Sequence, residues 1–494
     1  MNNMRLLTAS MVIAVSVNAI ALVIHVPGDY PTIQQAINNS SSTDTVMVAN
    51  GLYHENLTIS NPIVLIGESM DNTIIDGSGA GDVVAINASD VSVSGFAIRN
   101  SGPIFHDSGI ELTNSLSCEV SACQIYSCCV GIQFVQTESV TVARCIIFQD
   151  SSGIILNGDV QGNYFDVIEN NRITDNLHYG VQFAHIGANH VSNIVRGNFI
   201  AINREGIDMI TSQTNMIVDN DIQGNADYGA YITMCMGGGQ DNQFHHNNFI
   251  SNGDNGQAYD MLGNNFWYQI EGSEGNHWSD YNGNDIDSNG IGDDPWIICG
   301  GATQDLFPIM RPLYASISGT VTDEDGQPIS NVLIVCDASN ASTHSNGQGH
   351  YELDTLYAGV WPVSFSRDAY RDTTICLVPT TLRQTTELNV VMRRISAIPD
   401  ESAPIMPNSF ELLQNYPNPF NSQTVISFNL GTALPVRLEI FDISGAVVTI
   451  LAKRTFAAGH HELIWDANNC SSGIYYYRLS AGKWLRVGRM ALLK

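Results

Sequence analysis

The sequence predicts an all-β chain: a solenoid of short stacked strands followed by two smaller β-sandwiches. Three observations carry this expectation. First, the run from Val91 to Met261 repeats itself. Gly-Ile-Glu-Leu at 109–112 returns as Gly-Ile-Gln-Phe at 131–134, Gly-Ile-Ile-Leu at 153–156, Gly-Val-Gln-Phe at 180–183, Gly-Ile-Asp-Met at 206–209 and Gly-Ala-Tyr-Ile at 229–232. A loosened copy, Ala-Tyr-Asp-Met, follows at 258–261, and the steps between copies are 22, 22, 27, 26, 23 and 29 residues. Second, another phrase keeps the same beat: Cys123-Gln-Ile125, Cys145-Ile-Ile147, Asn171-Arg-Ile173, Asn198-Phe-Ile200, Asn220-Asp-Ile222 and Asn248-Phe-Ile250. Third, 43 glycines and frequent Asn-Gly and Asp-Gly pairs favour short strands with tight turns over helices. Each copy is too short to enclose its own apolar face, so neighbours must stack into one core.

At 494 residues the chain is too long for one ordinary core. With 49 acidic and 20 basic residues its formal charge is −29, and its three lysines (Lys453, Lys483, Lys494) all fall in the last fifty residues. Such a surface repels phosphate backbones, which excludes nucleic acid and favours cations and neutral or basic polymers. The chain opens with an apolar run from Leu6 to about Ala21, ending in the small residues Ala19-Ile-Ala21. Residues 1–21 therefore read as a signal peptide. No later segment is apolar for long enough to cross a bilayer, so no membrane span is expected after its removal.

The mature chain begins with Val26-Pro-Gly-Asp-Tyr-Pro-Thr-Ile-Gln-Gln-Ala-Ile37. Ile33, Ala36 and Ile37 at helical spacing, with Pro31 ahead of them, predict a short amphipathic helix with proline in its first turn. Thr45-Val-Met-Val48, Leu57-Thr-Ile59, Ile63-Val-Leu-Ile66 and Thr73-Ile-Ile75 follow as strands ended by Asn, Gly or Asp. "VPGDYPTIQQAI", "DTVMVANGLYHENLTI" and "TIIDG" resemble the N-terminal cap and first coils of a pectin-lyase-like right-handed parallel β-helix. In the repeats, two apolar positions flank a polar one, which buries one face of each strand. The isoleucines at 125, 147, 173, 200, 222 and 250 should stack along a second wall. The asparagines at 171, 198, 220 and 248 should form a corner ladder whose amides bond from coil to coil.

After Met261 the repeats fade into Gly275-Asn-His-Trp-Ser-Asp-Tyr281, Asp285-Ile-Asp-Ser-Asn-Gly-Ile-Gly-Asp293 and Asp305-Leu-Phe-Pro-Ile-Met310. This closing phrase resembles the end of NosD-type repeat domains, and the resemblance covers about 22–312. Residues 315–395, with Asp-Gly and Asn-Gly turns between alternating strands, predict a small β-sandwich. They resemble the carboxypeptidase regulatory-like domain, a module used as a spacer or binding domain, without any His-x-x-Glu zinc pair before it. A proline-containing linker spans 396–408. "YPNPFN", "VRLEIFDISGAVV", "GHHELIWDA" and "SGIYYYRLSAG" within 409–494 resemble the type A sorting domain of type IX secretion substrates. That resemblance implies the type IX machinery as a partner, with release or attachment at the cell surface.

Two places lead the candidates for chemistry. Asp285, Asp287, Asn289 and Asp293, with Gly290 at the sixth position, have the spacing of a calcium loop. The bidentate Glu of an EF-hand is missing, so we expect a structural calcium, with Asp294 or a remote carboxylate completing the shell. The second place is the middle position of each repeat: Glu111, Gln133, Ile155, Gln182, Asp208, Tyr231 and Asp260. Stacked about 4.8 Å apart, these predict a polar stripe with an aromatic in it, suited to sugar hydroxyls.

The stripe predicts glycan binding, with polysaccharide lysis or glycoside hydrolysis as the alternative. Catalysis would need convergent carboxylates, for which Asp208 with Asp175 or Asp227 is the candidate. No polygalacturonase signature is present, and a lyase base would have to be Arg172, Arg196 or Arg204. Met234-Cys235-Met236 with His245, His246 and Met261 could bind copper, but Met-x-Met on a strand more often fills a core. Cys123 and Cys145 are expected as stacked, buried free thiols, and Cys336–Cys376 as the better disulfide.

Overall fold

In the computed structural model each repeat becomes one coil of three short parallel strands. The described residues are 21–395 and 410–492, except 159–161, 185–189, 211, 234–240, 254–255, 262, 302, 337–340, 414, 416–419, 421, 431–433, 443–446, 458, 468–469, 471–472 and 482–483. The signal peptide and linker expectations thus fall almost wholly outside the described residues. Met1–Ile395 and Ser396–Lys494 are separate compact units.

Stacked coils build three parallel sheets, I, II and III, of ten, nine and ten strands. Sheet I runs from Val23–Val26 to Gln243–His245, sheet II from Leu57–Ile59 to Ala258–Asp260, and sheet III from Gly51–Tyr53 to His277–Trp278. Alternation sends one side chain in and the next out. Inward rows form the core: Val93, Val120, Val142, Ile168, Val195 and Ile217 in sheet I, and Ile110, Ile132, Ile154, Val181 and Ile207 in sheet II. Ile98, Ile125, Ile147, Ile173, Ile200 and Ile222 do the same in sheet III. Each such side chain contributes about 1.5–3 kcal/mol over leaving it in water.

The first coil is covered by helix α1 (Ile33–Asn38), which buries Ile33, Ala36 and Ile37 as its spacing predicts. Pro31 lies one residue ahead of the N-cap, Thr32, rather than in the first turn. The Thr32 hydroxyl accepts from Gln35 N at 3.2 Å, and the Glu55 carboxylate accepts from Ile33 N and Gln34 N at 2.9 Å. Two donors that a helix start leaves open are thereby satisfied by the next coil.

Asparagine ladders mark the corners. One runs Asn171, Asn198, Asn220, Asn247 and Asn276; another Asn176, Asn203, Asn225 and Asn252; a third Asn193, Asn215, Asn242 and Asn265. In each, the backbone N–H and the Nδ2 of one asparagine both donate to the Oδ1 of the next, as Asn198 does to Asn220 at 3.0 Å. A ladder polarised this way must end on an acceptor. Asp305 closes the first at 2.7 Å from Asn276 N, the Gln257 side-chain carbonyl closes the second at 3.0 Å, and Asp260 closes the third at 3.1 Å.

The last coil corrects the expected alignment by one residue. Asn247, not Asn248, continues the ladder; Phe249, not Ile250, continues the Ile222 wall; and Tyr259, not Asp260, pairs with Tyr231. Because strand side chains alternate with period two, a slip of one exchanges the faces of every residue in the coil.

Within the first unit, residues 315–391 form two facing sheets. One orders His350–Leu356, Ala315–Thr322 and Thr385–Glu387, and the other Ala341–His344, Leu333–Cys336, Gly359–Ser366 and Thr373–Thr380. Ile317, Val332, Ile334, Val363 and Phe365 fill the space between them. The expected Cys336–Cys376 bridge does not form: Cys336 points into this core, whereas Cys376 is an exposed free thiol beyond the intervening strand Gly359–Ser366. Cys123 and Cys145 are buried free thiols, and burial pushes Cys123 up to about 12. The second unit pairs a three-stranded sheet (Phe410–Leu412, Gln423–Leu430, Gly459–Asp466) with a four-stranded one (Leu434–Asp442, Val447–Phe456, Gly473–Ala481, Trp484–Leu492). Ile426, Phe428, Leu438, Ile440, Tyr477 and Leu479 lie in its core.

Candidate functional site

The outward row of sheet II stacks Glu111, Gln133, Ile155, Gln182, Asp208, Tyr231 and Tyr259 in register. A second outward row runs beside it: Tyr179 pairs with Glu205, and Glu205 with Tyr228. The repeated glycine between these rows is sterically required. A Cβ on Gly131, Gly153, Gly180 or Gly206 would stand 2.5–2.6 Å from the carbonyl oxygen of the next coil's glycine.

The two rows make a small lattice centred on two carboxylates. Asp208 is buried between Gln182 and Tyr231, and Gln182 Nε2 donates to it at 2.7 Å. Burial outweighs that bond and pushes Asp208 up to about 6. Glu205, three residues earlier on the same strand, sits between Tyr179 and Tyr228. Burial first, and the Asp208 charge second, push it up to about 7. Arg204 is paired with Asp227 at 2.6 Å.

On one side lies an aromatic surface. The Tyr228 and Tyr231 rings stack at 5.1 Å, Tyr231 and Tyr259 at 5.2 Å, and Tyr228 lies 5.7 Å from Tyr259. On the other side, Glu111 accepts from Thr113 at 2.9 Å. Gln133 is 2% exposed, and its Oε1 is buried with no hydrogen-bond partner among the described residues. Asn157 Nδ2 lies 3.3 Å from His106 Nδ1 at the rim.

The structure thus brings together Gln182, Asp208 and Tyr231 and places Glu111 and Gln133 further along the same row. Asp260 is a correction: it faces inward and is held by Asn265, Trp267 Nε1 at 3.1 Å and Thr303 at 3.2 Å. Asp227, once a candidate partner for Asp208, is committed to Arg204. Glu205 is the residue that sequence reasoning missed. It occupies the position just before the repeat glycine, held elsewhere by Ser108, Val130, Ser152, Tyr179 and Tyr228.

The acidic loop brings carboxylate oxygens of Asp285, Asp287 and Asp293 within 4.8 Å of one another. Asn289 N donates to Asp285 at 3.0 Å and to Asp287 at 3.2 Å, curling the chain around them. Asp294 is turned away, accepting from Asn284 N and Nδ2 at 3.0 and 2.8 Å. It does not complete this cluster. Hard oxygen donors of this kind fit calcium.

Met234, Cys235 and Met236 lie outside the described residues, and Met261 is exposed. His245 and His246 are buried with Nδ1 atoms 3.0 Å apart, and His246 Nε2 meets Glu274 at 2.7 Å.

Residues 37–283, half of the chain, match the profile of the periplasmic copper-binding protein (NosD) family. The chain belongs to the NosD family. Downstream of that NosD solenoid, residues 316–393 match the carboxypeptidase regulatory-like domain and 414–490 the secretion system C-terminal sorting domain. The sorting domain marks the protein for type IX secretion to the extracellular space or cell surface. No helix of the described residues is long and apolar enough to cross a membrane.

Among solved structures, the chain is similar to an alginate lyase from Paenibacillus sp. str. FPU-7 (15% identity, 52% of this chain and 97% of that one, TM-score 0.37). It is also similar to pectin methylesterase PemA from Erwinia chrysanthemi (13%, 47% and 89%, TM-score 0.31). The A-module of mannuronan C-5 epimerase AlgE4 from Azotobacter vinelandii is a third (14%, 50% and 88%, TM-score 0.28). No curated protein matches the chain.

Proposed function

We propose that sheet II binds an elongated glycan, neutral or amino-bearing rather than polyuronic. The observation that carries this reading is the stacked Tyr228–Tyr231–Tyr259 surface continuous with Gln182, Asp208 and Glu205. Tyrosine faces take the apolar side of a sugar ring, and amides and carboxylates take its hydroxyls. Successive coils repeat these groups at about 4.8 Å, so the surface suits a polymer. Residues 22–312 hold 33 Asp and Glu against six Arg and no Lys, a field that opposes uronate chains and attracts ammonium groups.

A second reading, turnover, is favoured by one observation. Glu205 and Asp208 share a strand, and burial pushes them up to about 7 and about 6, toward the range in which a carboxyl serves as general acid or base. Screening the secreted protein on a glycan array, then assaying ligands for reducing ends and unsaturated products, separates the readings. Saturable binding without product under any condition defeats turnover. Product formation lost in Glu205→Gln or Asp208→Asn defeats binding alone, and no binding of any glycan defeats both.

We further propose that Asp285, Asp287, Asn289 and Asp293 hold a structural calcium that stiffens the closing end of the solenoid. The grouping of three carboxylates supports it. Calorimetry with and without a chelator tests it: an unchanged melting profile leaves the loop as only a turn.

A further inference from the structure

The outward row of sheet III has its own partner within the chain. Arg172, Phe199, Asp221 and Asn248 pair in register on four successive coils. All four touch residues of the sandwich or of the segment that leads into it. The Arg172 guanidinium lies over the Trp361 ring, 5.2 Å from its centroid. Phe199 meets Trp361 edge to face at 4.9 Å and Tyr357 at 5.7 Å. Asp221, fully buried, accepts from Ala358 N on one oxygen and from Asn248 Nδ2 at 2.5 Å on the other. Asn248 also accepts from Leu313 N at 2.8 Å and donates to Leu313 O at 2.7 Å. Flanking the row, Thr381 donates to Asn170 at 3.0 Å, and Arg383 pairs with Glu274 at 3.3 Å.

This contact is built on both sides. Gly359 has φ of +122°, and a Cβ there would stand 3.0 Å from Phe199 Cβ and 3.3 Å from Asn171 O. Only glycine allows both that backbone and that approach. On the solenoid side, a phenylalanine and a buried aspartate on an outward row are costly in water or unpaired, and both are matched here. Polar groups that are buried and satisfied in one geometry hold two bodies in one arrangement.

We propose that residues 315–395 are not a spacer but a permanently docked brace, with Tyr357–Trp361 seated on the Arg172–Phe199–Asp221–Asn248 row. The brace grips the coils that also carry Gln182, Glu205, Asp208 and Tyr231, because Phe199–Ala201 runs through residues 202–204 directly into Glu205–Ile210. It closes the outward face of sheet III over these four coils to ligands and couples the unfolding of solenoid and sandwich.

Hydrogen exchange by mass spectrometry on the full chain, across a denaturant series, tests this without any ligand. In the wild type, peptides covering Asp219–Gln223 and Leu356–Val363 should lose protection together, at one denaturant concentration. The double variant Arg172→Ala/Phe199→Ala should speed exchange at least tenfold in both peptides and leave Gln423–Leu430 of the separate second unit unchanged. Separate loss of protection by the two wild-type peptides overturns the proposal. So does a double variant in which only the solenoid peptide responds. Should the double variant fail to fold, the wild-type series alone decides.

Discussion

Two outward rows of one solenoid stand on the same coils and meet opposite fates. On sheet III, Arg172, Phe199, Asp221 and Asn248 are consumed by the chain itself. On sheet II, Gln182, Asp208, Tyr231 and Tyr259 are partnered mostly by one another. Each row carries one buried aspartate, Asp221 pushed up to about 7 and Asp208 to about 6, by burial in both cases. The backbone scaffold is indifferent to this choice. What differs is the aromatic's setting: Phe199 is clasped by Tyr357 and Trp361, while among the described residues Tyr231 stacks only on Tyr228 and Tyr259. A repeat fold therefore offers several equivalent faces, and side chains alone decide which is structural and which is left open for the proposed ligand.

The comparison can be broken most forcefully through Phe199 and Tyr231. Phe199→Ala should cost about 2–4 kcal/mol of stability, as large-to-small changes at packed aromatics do, and leave sheet II affinity per folded molecule within twofold. Tyr231→Ala should do the reverse, costing under about 1 kcal/mol while weakening a bound glycan at least tenfold. Thermal melts paired with binding isotherms read both.

The next effect concerns charge. Asp208 has a folded-state midpoint of about 6 against its ordinary 3.8, so the unfolded chain releases its proton first as pH rises. Its stabilising contribution is complete below about pH 4 and is lost as pH climbs through 6. Asp208→Asn should therefore be more stable than wild type at pH 8, by up to about 3 kcal/mol, with the gap closing toward pH 4. An equal gap at both values would contradict the assigned burial cost.

Ladder residues should show a comparable or smaller loss, unrelated to ligand. Asn220→Ala strips the acceptor from Asn198 N and Nδ2 and should cost about 1–3 kcal/mol in urea titration. The smallest effect is expected at the closing loop. Asp287→Ala should lower the melting temperature only in the presence of calcium, by a few degrees at about 1 kcal/mol of linkage.

Much of the fold is written in local pattern. The Gly-Ile-x-Leu phrase, the isoleucine wall and Asn171, Asn198 and Asn220 are legible because each repeats at a fixed structural position. Legibility ends where the pattern loosens. In the last coil the Asn247-Asn248 pair offers two registers, and only the tertiary pairing of Phe249 with Ile222 selects one; that slip turned Asp260 inward. Glu205 was obscured because its position tolerates serine, valine and tyrosine in other coils, so no phrase marks it. The docked row was hidden differently. Arg172 reads only as a candidate lyase base, and no phrase marks Phe199 or Asp221, until Trp361 and Ala358, far along the chain, meet them.

The claim at the centre of this account is that sheet II is the ligand face and that sheet III is closed over the Arg172–Phe199–Asp221–Asn248 row. Titration calorimetry of the full secreted chain with amino-sugar and uronate oligomers of equal length tests it directly, with Tyr231→Ala and Arg172→Ala as the two variants. The account predicts heat only with the amino-sugar oligomer, loss of at least tenfold in affinity in Tyr231→Ala, and wild-type affinity in Arg172→Ala. Tight uronate binding, or affinity lost in Arg172→Ala but retained in Tyr231→Ala, would contradict it.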